Sequence, residues 1–191
     1  MSPDPYEFAF RGLLSEEALD RAGRQPKTVP GLFDAGVAET LSVDLLDDTF
    51  LAPAKQMAAV YVAVAAFENS ARDLVTRVLL EGAGETWWDD KVSEKVRTHC
   101  KNRQEEEERN RYHKQRGDAP ITYTELKHIV NIIRANWEFF EPFLPSPEWT
   151  TSVFDAIERS RNVIMHSGIL DREDVERVGI NIRDWVKQVG T

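Results

Sequence analysis

Apolar residues recur at intervals of three and four through most of the chain and nowhere alternate persuasively, so the pattern predicts helices and no convincing β-strand. The strongest run begins at Pro53, read as a first-turn proline, and stops at Gly82. Met57, Tyr61, Val64, Ala71, Val75 and Val78 form its stripe, and Glu68 interrupts it. A carboxylate in such a stripe needs a partner, and Arg72 sits four residues on, where the two side chains meet on one face. The pair reads either as a helix salt bridge or as a brace reaching across to orient functional groups on another helix.

Three further apolar runs come after a polar one. Between Thr86 and Arg116 the chain opens with Trp87-Trp88 and then becomes strongly charged, the pattern of a solvated helix projecting from the body. Thr122 and Glu125 are spaced as a capping box ahead of Leu126, Ile129, Val130, Ile133, Trp137 and Phe140; His128 on this helix is expected at the surface or its boundary. Ser146 and Pro147 then read as N-cap and N1 of a helix with Trp149, Val153, Ala156, Ile157 and Ile164 inward. Asp171 caps a last helix through Val175, Val178, Ile182, Trp185 and Val189. The sum is an all-α fold, an up-and-down bundle of four to five helices with a polar helical extension, spanning 51–191. Residues 1–50 are an acidic N-terminal segment with short helices, one from Ser15 to near Gly23 and another around Ala38 to Leu46; an arm packed on the body is preferred over a partner-binding tail or an acidic cover.

Composition changes this picture in two places. The net charge of −9 argues against a polyanion ligand until it is divided: residues 1–50 hold four Lys/Arg against ten Asp/Glu, the remainder 20 against 23. The body is thus nearly balanced and can carry a local basic groove. Its one clearly basic region runs from Arg97 to Arg116, where Arg109, Arg111, Lys114 and Arg116 surround Tyr112 and His113, aromatic rings able to stack on bases. This is either a plain exposed helix or an RNA-contacting one. No apolar run is expected to span a membrane, the start lacks the parts of a signal peptide, and the single Cys100 forms no internal disulfide, which together point to the cytoplasm. Cys100 is read as an ordinary helix residue. The histidines His99, His113, His128 and His166 show no regular metal-ligand spacing, and there is no glycine-rich phosphate loop or nucleophile elbow, so no metal and no cofactor are expected.

The remaining candidate chemistry lies on the penultimate helix. Arg161, Asn162 and His166 are close in sequence, but Arg161 and His166 are five apart, about 140° around an ideal helix. One helix does not aim both at one atom, whereas two copies paired across a two-fold axis can line one cleft with two arginines and two histidines. Arg161-Asn162-Val163-Ile164-Met165-His166 resembles the Arg, polar residue, three variable residues, His signature of the HEPN domains, helical bundles acting mostly as RNA endonucleases. Phe67 to Leu74 resembles the Glu/Arg pattern of that family's first helix, and Trp87-Trp88, the charged run, Tyr123, Asn136-Trp137 and Trp149 are similar to its Swt-type branch, over about residues 42 to 186. The resemblance implies a homodimer, paired through the Arg161–His166 helix, that cleaves RNA without metal. Attack by the 2′-OH would leave a 2′,3′-cyclic phosphate. His166 would move protons, Arg161 would stabilise the phosphorane, and Asn162 would hold the imidazole or a phosphate oxygen, with Glu158 orienting Arg161 and Glu68 and Arg72 in support. Arg159, seven residues before His166, fits a looser spacing; the asparagine after Arg161 favours the latter. A toxin or phage-defence effector, with an antitoxin or defence-system protein as partner, is the role such a domain implies. The alternative is a non-catalytic HEPN-like dimerisation or partner- or nucleotide-binding module.

Overall fold

The computed structural model describes residues 35–110 and 112–190. The helix expected from Ser15 therefore lies outside the described residues. The chain divides into two compact units, 1–46 and 47–191. In the first, α1 (Ala35–Thr40) is followed by a 3-10 turn, Val43–Leu45, entered through Ser42 in the left-handed region at φ 52°. The sequence pattern merged these into one helix.

The second unit is built around α2, Asp48–Ala83. Asp47 caps it by accepting a hydrogen bond from Thr49 N–H at 2.8 Å, so the helix starts five residues before Pro53, which sits inside it. A good cap and a favourable first turn outweigh the backbone bond the proline forgoes. The buried face is Met57, Val60, Val64, Phe67, Ala71, Leu74, Val75, Val78 and Leu79. Tyr61 is exposed, and Glu68 stands at the edge of the stripe rather than within it. Contrary to the expectation from the apolar runs, α2 is long and apolar enough to cross a membrane. The central helix of a bundle passes the same test, and α2 packs on five other helices of its unit.

The polar extension is shorter and better packed than its composition suggests. α3 (Trp87–Lys91) leads into α4 (Glu94–Arg109), which buries Val96 and Cys100 and packs on a 3-10 turn at Pro120–Tyr123. Helix ends at Arg109, and the chain folds back so that Arg116 Nε donates to Glu107 Oε1 at 2.7 Å. Thr122 does not cap the next helix. Its residues belong to the 3-10 turn, and Glu125 is the N-cap of α5 (Leu126–Ala135), in a capping box with His128. His128 is buried, which corrects its expected surface position. The predicted run to Phe140 breaks at Asn136, whose buried side-chain amide donates to Lys91 O (3.0 Å) and Ile132 O (2.8 Å) before the short α6 (Trp137–Phe140).

α7 (Pro147–Met165) and α8 (Arg172–Val189) begin where their caps predict, Ser146 accepting from Trp149 N–H and Asp171 from Asp174 N–H. α2 packs on α5, α7 and α8, and α7 also packs on α5 and α8. Their shared core centres on Trp185, fully buried with ring contacts to Phe67, Phe154 and Trp149 and its Nε1–H directed at Ser70 Oγ (3.4 Å). No strand occurs among the described residues.

Candidate active site

Glu68 is where α2 meets α7. One carboxylate oxygen, Oε1, takes Arg72 Nη2, and the other, Oε2, lies 3.6 Å from Arg161 Nε. Arg72 also donates to Thr124 O (2.9 Å) and to Asn69 Oδ1 (3.0 Å). One carboxylate therefore holds two guanidiniums from two helices, and Arg72 ties both to the turn ahead of α5. Glu68 and Arg72 side chains are only 13% and 16% exposed, which keeps water from screening the pair. Of the two readings open in the sequence, the pair is both an i, i+4 bridge and a brace reaching Arg161. Glu158, expected to orient Arg161, makes no contact of that kind; it lines the same cavity, and Glu68 supplies the orienting charge.

That cavity, about 440 Å³, is strongly polar. Arg72, Arg103, Arg116, Lys127 and Arg161 line it against Glu68, Glu125 and Glu158, with Asn162, Tyr123 and Thr124. Five cations against three carboxylates leave an excess of positive charge suited to an anion such as a phosphate. The Arg72 Nε–H is buried without a hydrogen-bond partner. Arg116 is positioned twice, by Glu107 and by the Tyr123 ring, 5.2 Å from its guanidinium carbon. Burial pushes the Glu107 carboxyl up, but the hydrogen bonds and charge of Arg116 outweigh it and leave the group below its ordinary value. Glu125 is likewise lowered, chiefly by its bond from Lys127.

His166 is placed differently. It is the C-cap of α7, exposed, and does not line the cavity that holds Arg161 and Asn162. Its backbone N–H reaches Asn162 O (3.3 Å) and Val163 O (3.2 Å), and Asn162 itself is among the residues that line the cavity. Ser167 comes next, in the left-handed region at φ 60°. Ser167 N–H bonds Ile164 O (3.1 Å) and Gly168 N–H bonds Val163 O (2.8 Å), the paired bonds of a Schellman ending. Arg159 is exposed and lines a separate groove with Arg134 and Asp155, apart from Glu68.

The basic candidates divide. Arg109 is exposed at the end of α4; Arg111 lies outside the described residues. Tyr112 is 96% exposed, and His113 and Lys114 line a second cavity with Arg103 and Arg116, which border both. Sequence reasoning missed Arg103, Lys127, Thr124 and Glu125 as cavity residues. The available signal was the helical register of Arg103, four residues after His99, and the cluster of polar residues at the start of α5.

Beside the α7 ending, Phe50, Pro53, Met57, Tyr61, Ile164 and Ile169 line an apolar groove, and Val163 and Met165 are exposed near it in the chain. The chain matches the family model described as Swt1-like HEPN over residues 63–190. No curated protein and no solved structure matches it.

Proposed function

The chain belongs to the Swt1-like HEPN family, and from that premise we propose that it is a metal-independent endoribonuclease whose site is completed by pairing two copies of α7. The observation that carries the reading is the Arg161 guanidinium, held by Glu68 in a cation-rich cavity with Asn162 beside it. A fixed, always-charged fork suits the extra negative charge of a phosphorane. His166, exposed one turn beyond Asn162, carries an imidazole, the side chain type suited to moving protons in such a reaction. Because His166 stands outside the cavity, a second copy is needed to bring an imidazole to an arginine, and the exposed Val163, Met165 and Ile169 supply apolar surface for that pairing. Arg116, His113, Lys114 and Tyr112 extend the basic surface along which RNA would lie. The role fits a cytoplasmic toxin or phage-defence effector acting with a partner protein.

Cleavage in EDTA that leaves 2′,3′-cyclic phosphate ends, reduced about 10²–10⁴-fold by His166→Ala with helical content unchanged, is the expected result. Equal activity of wild type and variant would overturn it. The same separation of His166 from the cavity favours a second reading, a non-catalytic anion- or partner-binding module. In that case RNA survives in both proteins, while Arg161→Ala weakens ligand retention.

A further inference from the structure

We infer that His99, Glu125 and His128 form a binding site for a divalent transition-metal ion, zinc foremost, that clips α4 to α5. The three donor groups come from positions 26 and three residues apart, so no local spacing marks them. The fold brings one ligand atom of each within 4.8 Å of the other two. His99 Nε2 lies 3.4 Å from Glu125 Oε1, close to the edge of a tetrahedron with metal–ligand bonds of about 2.0–2.2 Å. His99 Nε2 is also buried without a hydrogen-bond partner, an unpaired donor or acceptor directed at this cluster. The two imidazoles stand edge to face at 4.6 Å, and His128 is itself buried. Two imidazoles and a carboxylate suit a borderline ion better than magnesium or calcium, and three protein ligands leave one position for water.

The surrounding charges set what must move. Lys127 holds Glu125 Oε2 at 2.6 Å and leaves Oε1 to the ion. Arg103, 3.5 Å from Oε1 and 46% exposed, swings away as the dication enters. His128 Nδ1 accepts the Glu125 N–H at 3.2 Å, so coordination through Nδ1 releases that amide and leaves the proton on Nε2. Arg103 and Glu125 both line the cavity of Arg161. Metal binding therefore neutralises one of its carboxylates and frees one of its cations.

The test uses the full chain, stripped with chelator and titrated with cobalt(II), then zinc(II). The expected result is one ion per chain, the strong visible absorption of tetrahedral cobalt, and its displacement by zinc. His99→Gln and Glu125→Gln are expected to weaken binding about tenfold or more, and His113→Ala to leave it unchanged. His99 is chosen because its side chain is 34% exposed and its loss spares the core, with circular dichroism to verify the helices. Absence of the tetrahedral band in the wild type, or undiminished binding by folded His99→Gln, would overturn the site. The readout is metal stoichiometry and spectrum, so it is independent of whether RNA is cleaved.

Discussion

Glu68 carries more of the site than its spacing announces. In the stripe of α2 it looks like a lone exception with a partner four residues on; in the fold it joins Arg72 and Arg161, and through Arg72 the turn at Thr124. Removing its charge leaves the shielded Arg72 guanidinium, 16% exposed, without its carboxylate and Arg161 without its anchor. Glu68→Gln is therefore expected to destabilise the protein by about 3 kcal/mol in urea denaturation, the range for breaking an ion pair shielded from water. An unchanged midpoint would mean that the two arginines relax into solvent at no cost. Arg161→Lys is expected to lose activity nearly as fully as Arg161→Ala, since an ammonium cannot present two parallel donors to a phosphoryl group; recovery of most activity in the lysine variant would assign Arg161 a bulk electrostatic role. Asn162 and Arg161 were legible as neighbours in the sequence. That Arg161 and His166 diverge was legible in their five-residue offset; that Asn162, four residues before His166, lines the cavity with Arg161 was not, because helices other than α7 supply its remaining walls.

At the scale of elements, capping chemistry sets the path of the chain beyond α7. In the sequence Gly168 marks the end of the helix, yet the left-handed position is Ser167, and Gly168 is needed for close approach: a Cβ there would meet Val163 Cγ1 at 2.7 Å and Val163 O at 2.8 Å. Ser167→Gly is expected to raise stability by about 1 kcal/mol by relieving the left-handed serine. Gly168→Ala is expected to lower it by about 1–3 kcal/mol through overpacking and to misplace His166. Thermal melts of the two variants should move in opposite directions; parallel shifts would show that the two positions do not divide these roles. The sequence pattern located α7 and α8 well because Ser146, Pro147 and Asp171 are strong local signals. It failed at the starts of α2 and α5, where Asp47 and Glu125 cap in place of Pro53 and Thr122. Both errors have one cause: several residues nearby could open the helix, and tertiary packing chose among them. The polar run before Arg116 is the exposed helix the sequence predicts, but a shorter one. Most of its charges do face water along α4, but the helix stops at Arg109 and Glu107 pairs with Arg116 across the return of the chain.

For the whole molecule, the question is whether one chain contains a site. Arg161 points into a cavity that His166 does not line, and the surface near His166 is apolar, with Met165 52% and Ile169 62% exposed. A scaffold that keeps Arg161 and His166 apart and leaves apolar side chains beside the latter would suit the proposed two-fold pair of α7 helices, in which the arginine of one copy would meet the histidine of the other. Mixing resolves this. Arg161→Ala and His166→Ala proteins, each inactive alone, should regain about a quarter of wild-type activity when unfolded together and refolded, because half the dimers are mixed and each then holds one intact site. Sites contained within single chains would give no recovery. The exchange can be checked with Met165→Lys, which puts a charge into the proposed interface and should abolish the recovery along with dimerisation in sedimentation, while leaving the buried core at Trp185 and hence the monomer fold intact.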